Sequence, residues 1–218
     1  MKVIDEQTVF AVNLDCEPQK IEIDDQRYYI QIDNFYANPY QVLELASSIP
    51  VSQSARLCSA LPTNADSGRS TTHYDLSHLS DVINGLIQTF YPRQRSPQSI
   101  RHTVEQLAFM CQVMSSEQLP ALAPHVDTDQ PGRFAATIGL TPTELCRGGT
   151  GFYTVRARTP GVPTEYVCDS TSDWQLDGVA ELAWNRLILY PSSYWHSAYI
   201  KPTWYLQPNL RVTQQFFI

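Results

Sequence analysis

The feature that most constrains the fold is a series of short β-like runs that fills the chain from about residue 103 to its end. Each run is rich in β-branched or aromatic residues, and Gly, Pro, Ser or Asp separates it from the next. The runs are "VEQLAFMCQVM", "FAATIGLT", "GGTGFYTVR", "EYVCD", "NRLILYP" and "LRVTQQFFI". Many short strands with such punctuation indicate a sandwich or barrel-like β fold. We therefore predict a mainly β protein with its core in residues 103–218.

Residues 1–102 combine helix and strand patterns and are predicted to support that core. Residues 8–14 and 27–33 have strand composition. The stretch "NFYANPYQVLELASSIP" predicts a helix that Asn38 caps, and "DLSHLSDVINGLIQTFYP" predicts a second one with apolar residues at helical spacing. The Ser/Thr/Asn-rich residues 51–75 are expected to run over the surface. No linker divides the chain, so a single domain with flanking helices is predicted.

Composition narrows the function classes. The chain has 218 residues, of which 43% are hydrophobic and 17% charged, as in globular proteins. Its net charge of −7, with scattered Lys and Arg, argues against nucleic-acid binding. The first residues lack the apolar run of a signal peptide, and no segment has the ~18 apolar residues of a membrane span. Five cysteines without CxxC spacing suit a reducing compartment. We expect a cytoplasmic protein with a small-molecule or peptidyl substrate, a homodimer being an open alternative.

The segment "PHVDTDQPGRFAATIGLT" contains a metal-ligand pattern. His125 and Asp127 are two residues apart, and in an extended strand such residues face the same side. An imidazole and a carboxylate could therefore grip one ion together. Asp129 lies one further step along and could replace Asp127 in a shifted register. The preferred interpretation places Asp129 in the turn before Pro131, a common role for Asp.

A second histidine at the end of an apolar run could complete the pattern. His196 follows "NRLILYPSSYW" and can reach the same place from another strand. Two imidazoles and one carboxylate with open positions form the ligand set of non-haem Fe(II) oxygenases. The same three side chains could also hold catalytic zinc or manganese, so the ligands alone do not choose the metal.

The order of the segments around these ligands adds a family resemblance. "HVD", "RFAATIGLT", "CRGGTGFYTVR", "NRLILYPSSYWHS" and "LRVTQQFFI" follow one another. This succession, over about residues 105–218, resembles the prolyl-4-hydroxylase-like branch of the 2-oxoglutarate/Fe(II)-dependent dioxygenases. The resemblance implies a double-stranded β-helix, that is, a cupin-like jelly roll. It also implies a hydroxylase that uses Fe(II), 2-oxoglutarate and O2.

Carried over residue by residue, the resemblance implies that His125, Asp127 and His196 bind Fe(II). Arg211, at the head of the last strand, would hold the distal carboxylate of 2-oxoglutarate, and Lys201 is a competing anchor. The family commonly has a tyrosine on each strand beside the His-x-Asp. Here "FMCQVMSSEQ" and "ATIGLT" contain none, which leaves Thr137 as a candidate for lining the cosubstrate.

Two other function classes stay open at this point. A jelly-roll binding or structural domain with a degenerate site would bind no 2-oxoglutarate. A cupin-like metalloenzyme without 2-oxoglutarate would keep the metal but not need Arg211. Two further segments have open roles. The paired glycines of "CRGGTGFY" are expected to allow a tight bend or a close backbone approach. Residues 153–183 are either a lid over the site or a surface excursion.

Overall fold

The computed structural model describes residues 5–48, 68–72, 74, 76–92, 109–116, 119 and 121–218. Within them, two antiparallel sheets carry most of the secondary structure, and three α-helices accompany the sheets. The prediction of a mainly β protein with a few helices is confirmed. In chain order the elements are α1 (Glu6–Val9), β1 (Pro18–Glu22), β2 (Tyr28–Ile32), α2 (Pro39–Ser48), β3 (Gly68–Thr72), α3 (Ser77–Phe90), β4 (Phe109–Met114), β5 (Phe134–Gly139), β6 (Gly149–Val155), β7 (Trp174–Glu181), β8 (Leu187–Pro191), β9 (His196–Tyr199) and β10 (Arg211–Phe217).

The larger sheet has seven strands in the order β1-β2-β8-β5-β10-β4-β3. The last strand of the chain, β10, lies between β5 and β4 and pairs with both. The end strands of the sheet are β1, which pairs with β2, and β3, which pairs with β4, and β2 in turn pairs with β8. Strands from residues 1–102 and from residues 103–218 therefore share one sheet.

The smaller sheet has the order β7-β6-β9. Its strand β6 pairs along β7 and β9, with Phe152 opposite His196 and Gly149 opposite Tyr199. An isolated antiparallel bridge joins His125 to His196, the first residue of β9. The chain around residue 125 therefore extends this sheet beyond β9.

The two faces of the larger sheet have different surroundings because side chains alternate along each strand. One face packs with the helices in the main apolar core, to which β5 contributes Phe134, Ala136 and Ile138. On the other face, Ala135, Ile188 and Tyr190 pack with Phe152 and Ala180 of the smaller sheet. The inward positions of β4, β5, β8 and β10 consequently line the interior between the sheets.

The two longer predicted helices are confirmed. α2 begins at Pro39, directly after Asn38, and buries Val42, Leu45 and Ala46. α3 buries an apolar stripe that includes Leu79, Ile83 and Ile87, and Pro92 follows its end. Both stripes join the main core. Burial of such a stripe, more than intrinsic propensity, stabilises helices of this length.

Some sequence predictions were wrong. Residues 8–14 do not form a strand, because α1 occupies Glu6–Val9 and only Val12 makes a β-bridge, to Tyr36. The Asp5 side chain accepts a hydrogen bond from the Thr8 amide, and this N-cap favours the helical turn over an extended strand. Near the end of the predicted excursion 51–75, β3 forms an edge strand, and residues 49–67 lie outside the described residues.

The stretch 153–183 is neither a simple lid nor an irregular excursion. Eight of its residues form β7, which pairs along the whole of β6. The predicted strand "EYVCD" reduces to a single bridge between Tyr166 and Leu122. Its Val167 packs with Tyr153 and Trp174 in a small apolar cluster. Strand composition alone does not supply a pairing partner, and here pairing is limited to one bridge.

Two further expectations concern thiols and membranes. Cys16, Cys111, Cys146 and Cys168 are free thiols, as predicted, and Cys58 lies outside the described residues. Among the described helices, none has the length and apolar character that crossing a bilayer requires.

Candidate metal centre

A reciprocal pair of backbone hydrogen bonds holds the two candidate histidine ligands together. The His125 amide donates to the His196 carbonyl at 2.9 Å, and the His196 amide donates to the His125 carbonyl at 2.8 Å. In such an antiparallel pair the side chains of opposite residues lie on the same face. The two imidazole rings accordingly have their centroids 4.7 Å apart.

Asp127 joins the two histidines, as its spacing from His125 predicts. Its amide donates to the Ser192 carbonyl at 3.0 Å, which fixes the chain beside the turn that leads to β9. Its carboxylate oxygens lie 3.8 Å from His125 Nε2 and 3.5 Å from His196 Nε2. One potential ligand atom from each of the three residues lies within 4.8 Å of the others. The three residues therefore form a possible metal-binding group.

The protonation state of His196 suits a metal ligand. Its Nδ1 lies 2.9 Å from the Tyr194 carbonyl oxygen, so the hydrogen-bond network assigns the ring proton to Nδ1 and leaves a lone pair on Nε2. Burial lowers the pKa of His196 to about 4, so the ring stays neutral near pH 7. The His125 side chain is 40% exposed and that of His196 only 8%, so the group opens to solvent at His125.

Tyr190, an aromatic residue that was not among the predicted site residues, packs against the buried side of the metal-ligand group. The ring of Tyr190, on β8, meets the His196 ring edge-on with centroids 5.1 Å apart. Its buried hydroxyl is hydrogen-bonded to Thr137, and burial raises the pKa of this phenol. The alternation in "NRLILYP" could have revealed this inward position, because Leu187 and Leu189 face the helices.

Arg211 is a buried cation in the same interior. It is 2% exposed, and the atoms that its Nη1 and Nη2 contact are neutral: Nη1 lies 3.9 Å from Met114 Sδ, and Nη2 lies 3.5 Å from the Gly149 carbonyl oxygen. Its Nε has no hydrogen-bond partner among the described residues, and none of their carboxylates forms an ion pair with it. Burial lowers the pKa of this guanidinium. A buried charge without a counter-ion is unfavourable, so an anion bound beside Arg211 would stabilise this arrangement.

A cavity between the two sheets lies beside Arg211. Its lining includes Thr137 and Gly139 of β5, Gly149 and Thr150 of β6, and Ile188 of β8. Thr137, the predicted cosubstrate neighbour, therefore shares this cavity with Arg211 and also reaches Tyr190. The cavity and the metal-ligand group are thus connected through one pair of hydrogen-bonded side chains.

The two alternative site residues lie elsewhere. Lys201 Nζ is 3.0 Å from an Asp169 oxygen and also lies over the Tyr199 ring, with 37% of the side chain exposed. It is not among the residues that line the cavity. Asp129 is exposed and is outside the three-residue group, and its predicted role in the turn before Pro131 stays a prediction.

Of the other histidines, only His78 lies in the described part of the chain. Its Nε2 is 3.0 Å from the Phe10 carbonyl oxygen, a contact that ties α3 to the N-terminal segment. Residues 73 and 102 are outside the described residues.

Comparisons with known proteins give limited matches. The model of a family of unknown function, DUF6445, matches residues 156–217, a stretch that includes His196 and Arg211 but begins after Asp127. No curated protein matches the chain. Among solved structures, the chain is similar to an oxidoreductase of the 2OG-Fe(II) oxygenase family from Burkholderia pseudomallei, with 13% identity and a TM-score of 0.44. That match covers 87% of this chain and 84% of the other.

Proposed function

We propose that this protein is an Fe(II)- and 2-oxoglutarate-dependent oxygenase that hydroxylates a small molecule or an amino-acid or peptidyl substrate. One observation carries the proposal. Two histidines and one carboxylate form a group that faces the interior between the sheets, and a buried arginine without a counter-ion faces the same interior. The first is suited to a divalent metal and the second to a carboxylate, so a ligand with both a metal-chelating end and an anionic end fits between them.

The proposed fold is a double-stranded β-helix, and the strand order supports it. The centre of the larger sheet runs β8-β5-β10-β4, and the smaller sheet runs β7-β6-β9 with the chain at residue 125 beyond β9. In sequence, these eight segments switch between the two sheets in the manner of a jelly roll. In such a fold, β10 brings Arg211 into the interior while the bridge at His125 and β9 carry the metal ligands.

The residues present fit Fe(II). His125, Asp127 and His196 would hold the ion, since an open set of two imidazoles and one carboxylate is typical of non-haem iron oxygenases. The neutral His196, with Nδ1 hydrogen-bonded to the Tyr194 carbonyl, presents Nε2 as a ligand. Bound iron, with 2-oxoglutarate and O2, would supply the oxidation of the substrate and release succinate and CO2.

The separation of the two ends suits a short dicarboxylate. Along the β6–β9 ladder, the pair Phe152–His196 and the pair Gly149–Tyr199 are three residues apart, about 10 Å at the usual strand rise. Arg211 contacts the Gly149 carbonyl and therefore lies at the level of the Gly149–Tyr199 pair, away from His196. Its planar guanidinium can bind a carboxylate with two parallel hydrogen bonds. Arg211 would thus hold the far end of the cosubstrate and orient its other end toward the metal ligands.

Anaerobic binding of 2-oxoglutarate in the presence of Mn(II) tests the proposal. We expect the wild-type protein to bind it and the variant Arg211→Met to lose it, because Met keeps much of the length and removes the charge. Lys201→Met is the matched control and should bind as wild type does. If Arg211→Met binds 2-oxoglutarate normally, the anchor assignment is wrong. If the wild-type protein binds metal but no 2-oxoglutarate, a cupin-like metalloenzyme replaces the proposal, and if it binds neither, a degenerate binding domain does.

A further inference from the structure

A row of polar side chains continues from Arg211 along the inward face of β10. Gln214 and Phe216 face the helices, since Gln214 accepts a hydrogen bond from Tyr36 and Phe216 belongs to the main core. The alternate residues Arg211, Thr213 and Gln215 therefore face the interior between the sheets. The row lies on a central strand of the larger sheet, where apolar residues would be the ordinary choice.

Gln215 forms an amide pair with a residue of the neighbouring strand β4, on the same inward face of the larger sheet. Gln215 Nε2 donates to Gln112 Oε1 at 2.6 Å. Gln112, on β4, is 6% exposed and faces inward, because its neighbours Cys111 and Val113 pack with the main core. Two primary amides joined by one hydrogen bond still have donors and acceptors to offer. The pair therefore has the chemistry to recognise a third amide.

Two atoms of this row lack partners. Gln215 Oε1 and Thr213 Oγ1 are buried and have no hydrogen-bond partner within the part of the chain that the structure describes. Leaving a buried polar atom without a hydrogen bond destabilises the fold, and most buried polar atoms in native proteins have a partner. Together with Arg211 Nε, three such atoms occupy three successive inward positions of one strand. A bound ligand that is polar at this level would satisfy them.

The amide pair lies on the metal side of Arg211. Gln215 is directly opposite Thr137 in the β10–β5 ladder, and Thr137 is hydrogen-bonded to Tyr190, whose ring meets His196. Arg211 is four residues back along the strand, about 14 Å of backbone. A chemical group bound at the amide pair would therefore lie closer to the candidate metal ligands than to Arg211.

The cosubstrate does not supply a partner for Gln215 Oε1. The polar atoms of 2-oxoglutarate are at its two ends, one for the metal and one for Arg211, and its two central CH2 groups form no hydrogen bonds. An acceptor such as Gln215 Oε1 needs an N–H or O–H donor, and a carboxylate offers none when ionised. The unsatisfied acceptor is therefore left for the other molecule in the reaction.

Resting on the proposed function, we infer that Gln112 and Gln215 form a substrate subsite that binds an amide group. The substrate class is then a compound with an N–H donor beside a carbonyl, such as a carboxamide or a peptide unit. The donor would bind Gln215 Oε1, and the substrate carbonyl would accept from an amide hydrogen of the pair. The pair positions the substrate and takes no part in the oxidation itself.

The test uses the full chain with Zn(II) and 2-oxoglutarate and two small probes of the same shape, N-methylacetamide and methyl acetate. Only the first has an N–H donor. Titrations are followed in NMR spectra through the backbone amide signals of β4 and β10, which wild type and both variants share. We expect N-methylacetamide to bind about fivefold more tightly, as one hydrogen bond of about 1 kcal/mol gives. In Gln215→Met, and in the double variant Gln112→Met with Gln215→Met, the preference should vanish while 2-oxoglutarate affinity stays within about twofold of wild type.

Equal binding of the two probes to wild type, or an amide preference that survives in both variants, overturns the subsite. Loss of 2-oxoglutarate binding in Gln215→Met also overturns it, because the pair then serves the cosubstrate. Failure of the proposed function has a different signature. In that case the wild-type protein binds no 2-oxoglutarate, while the amide preference, measured without cosubstrate, still decides whether the pair binds amides.

Discussion

His196 Nδ1 lies 2.9 Å from the carbonyl oxygen of Tyr194, two residues earlier in the chain. This contact keeps the ring proton on the side away from Asp127, so the Nε2 lone pair faces the carboxylate and His125. The backbone of the β8–β9 turn thereby sets the tautomer of a side chain that follows it. A buried neutral imidazole in this orientation is ready to bind a metal without first losing a proton.

The stability of the metal-free protein should fall in mild acid because of His196. Folding lowers its pKa from 6.5 to about 4, so between these values the unfolded chain binds a proton that the folded chain does not. The free energy of unfolding should therefore decrease from pH 6.5 toward pH 4, by up to about 1.4 kcal/mol per unit. Urea unfolding with a chelator at pH 4.5, 5.5 and 7 measures this, and His196→Asn should have a smaller slope. Equal slopes of the free energy of unfolding against pH in wild type and His196→Asn would contradict the lowered pKa of His196.

Metal binding should distinguish the two nearby aspartates. Asp127→Asn removes the charged ligand from the three-residue group, and we expect at least about tenfold weaker binding of Mn(II) or Fe(II). Asp129→Asn is the matched control, because Asp129 is exposed and outside the group. It should bind metal as wild type does. Isothermal titration calorimetry under anaerobic conditions measures both metal affinities. If only Asp129→Asn binds the metal more weakly, Asp129 and not Asp127 is the carboxylate ligand.

Local sequence patterns predicted much of the candidate site. The i, i+2 spacing of His125 and Asp127 places both on one side of an extended segment, and the structure brings His196 beside them through the predicted apolar strand β8 and its turn. Helices α2 and α3 followed from their apolar stripes. These features depend on periodicities of a few residues, which a sequence displays directly.

The features that sequence missed depend on pairing between distant segments. β1 and β7 acquire strand structure by pairing with β2 and β6, although "PQKIE" and "WQLDGVAE" have little β-branched character. Tyr190 became part of the site only when the larger sheet defined which face of β8 is inward. Burial of Arg211 without a counter-ion is likewise a tertiary property, because the sequence pattern indicates only that this residue begins a strand.

Replacing the buried cation should not weaken the ligand-free protein. Arg211 is buried without a carboxylate partner among the described residues, so Arg211→Met removes an uncompensated charge and keeps an apolar chain in its place. The melting temperature should equal or exceed that of wild type. Arg186→Met is the comparison, because it loses the ion pair with Asp33 and should melt lower. A large drop for Arg211→Met would show that the guanidinium is already compensated.

Arg27 should be a strong stabilising contact between the N-terminal hairpin and the smaller sheet. It pairs with Asp24 and with Asp177, each at 2.6 Å, and donates to the Tyr153 carbonyl at 2.9 Å. Its side chain is 19% exposed and that of Asp177 is 16% exposed, so Arg27→Ala leaves a largely buried carboxylate unpaired and should cost about 3 kcal/mol. Lys20→Ala, which breaks a pair that is 47% exposed on the lysine side, should cost under about 1 kcal/mol. Chemical denaturation measures the free energy of unfolding of both variants. Equal losses would contradict the stabilising role of the Arg27 contacts.

Two glycines should respond to alanine in opposite directions. Gly148 has φ +67°, in the left-handed region, and a Cβ there would lie 1.9 Å from the Tyr199 carbonyl oxygen. Gly148→Ala therefore forces β6 and β9 apart beside the Arg211 cavity, and we expect a loss of several kcal/mol with weaker 2-oxoglutarate binding. A Cβ at Gly85, inside α3, meets nothing within 4 Å, so Gly85→Ala should stabilise the helix by about 0.5–1 kcal/mol. Thermal unfolding of both variants checks this, and a stable Gly148→Ala would mean that the glycine pair is not needed for the close approach of these strands.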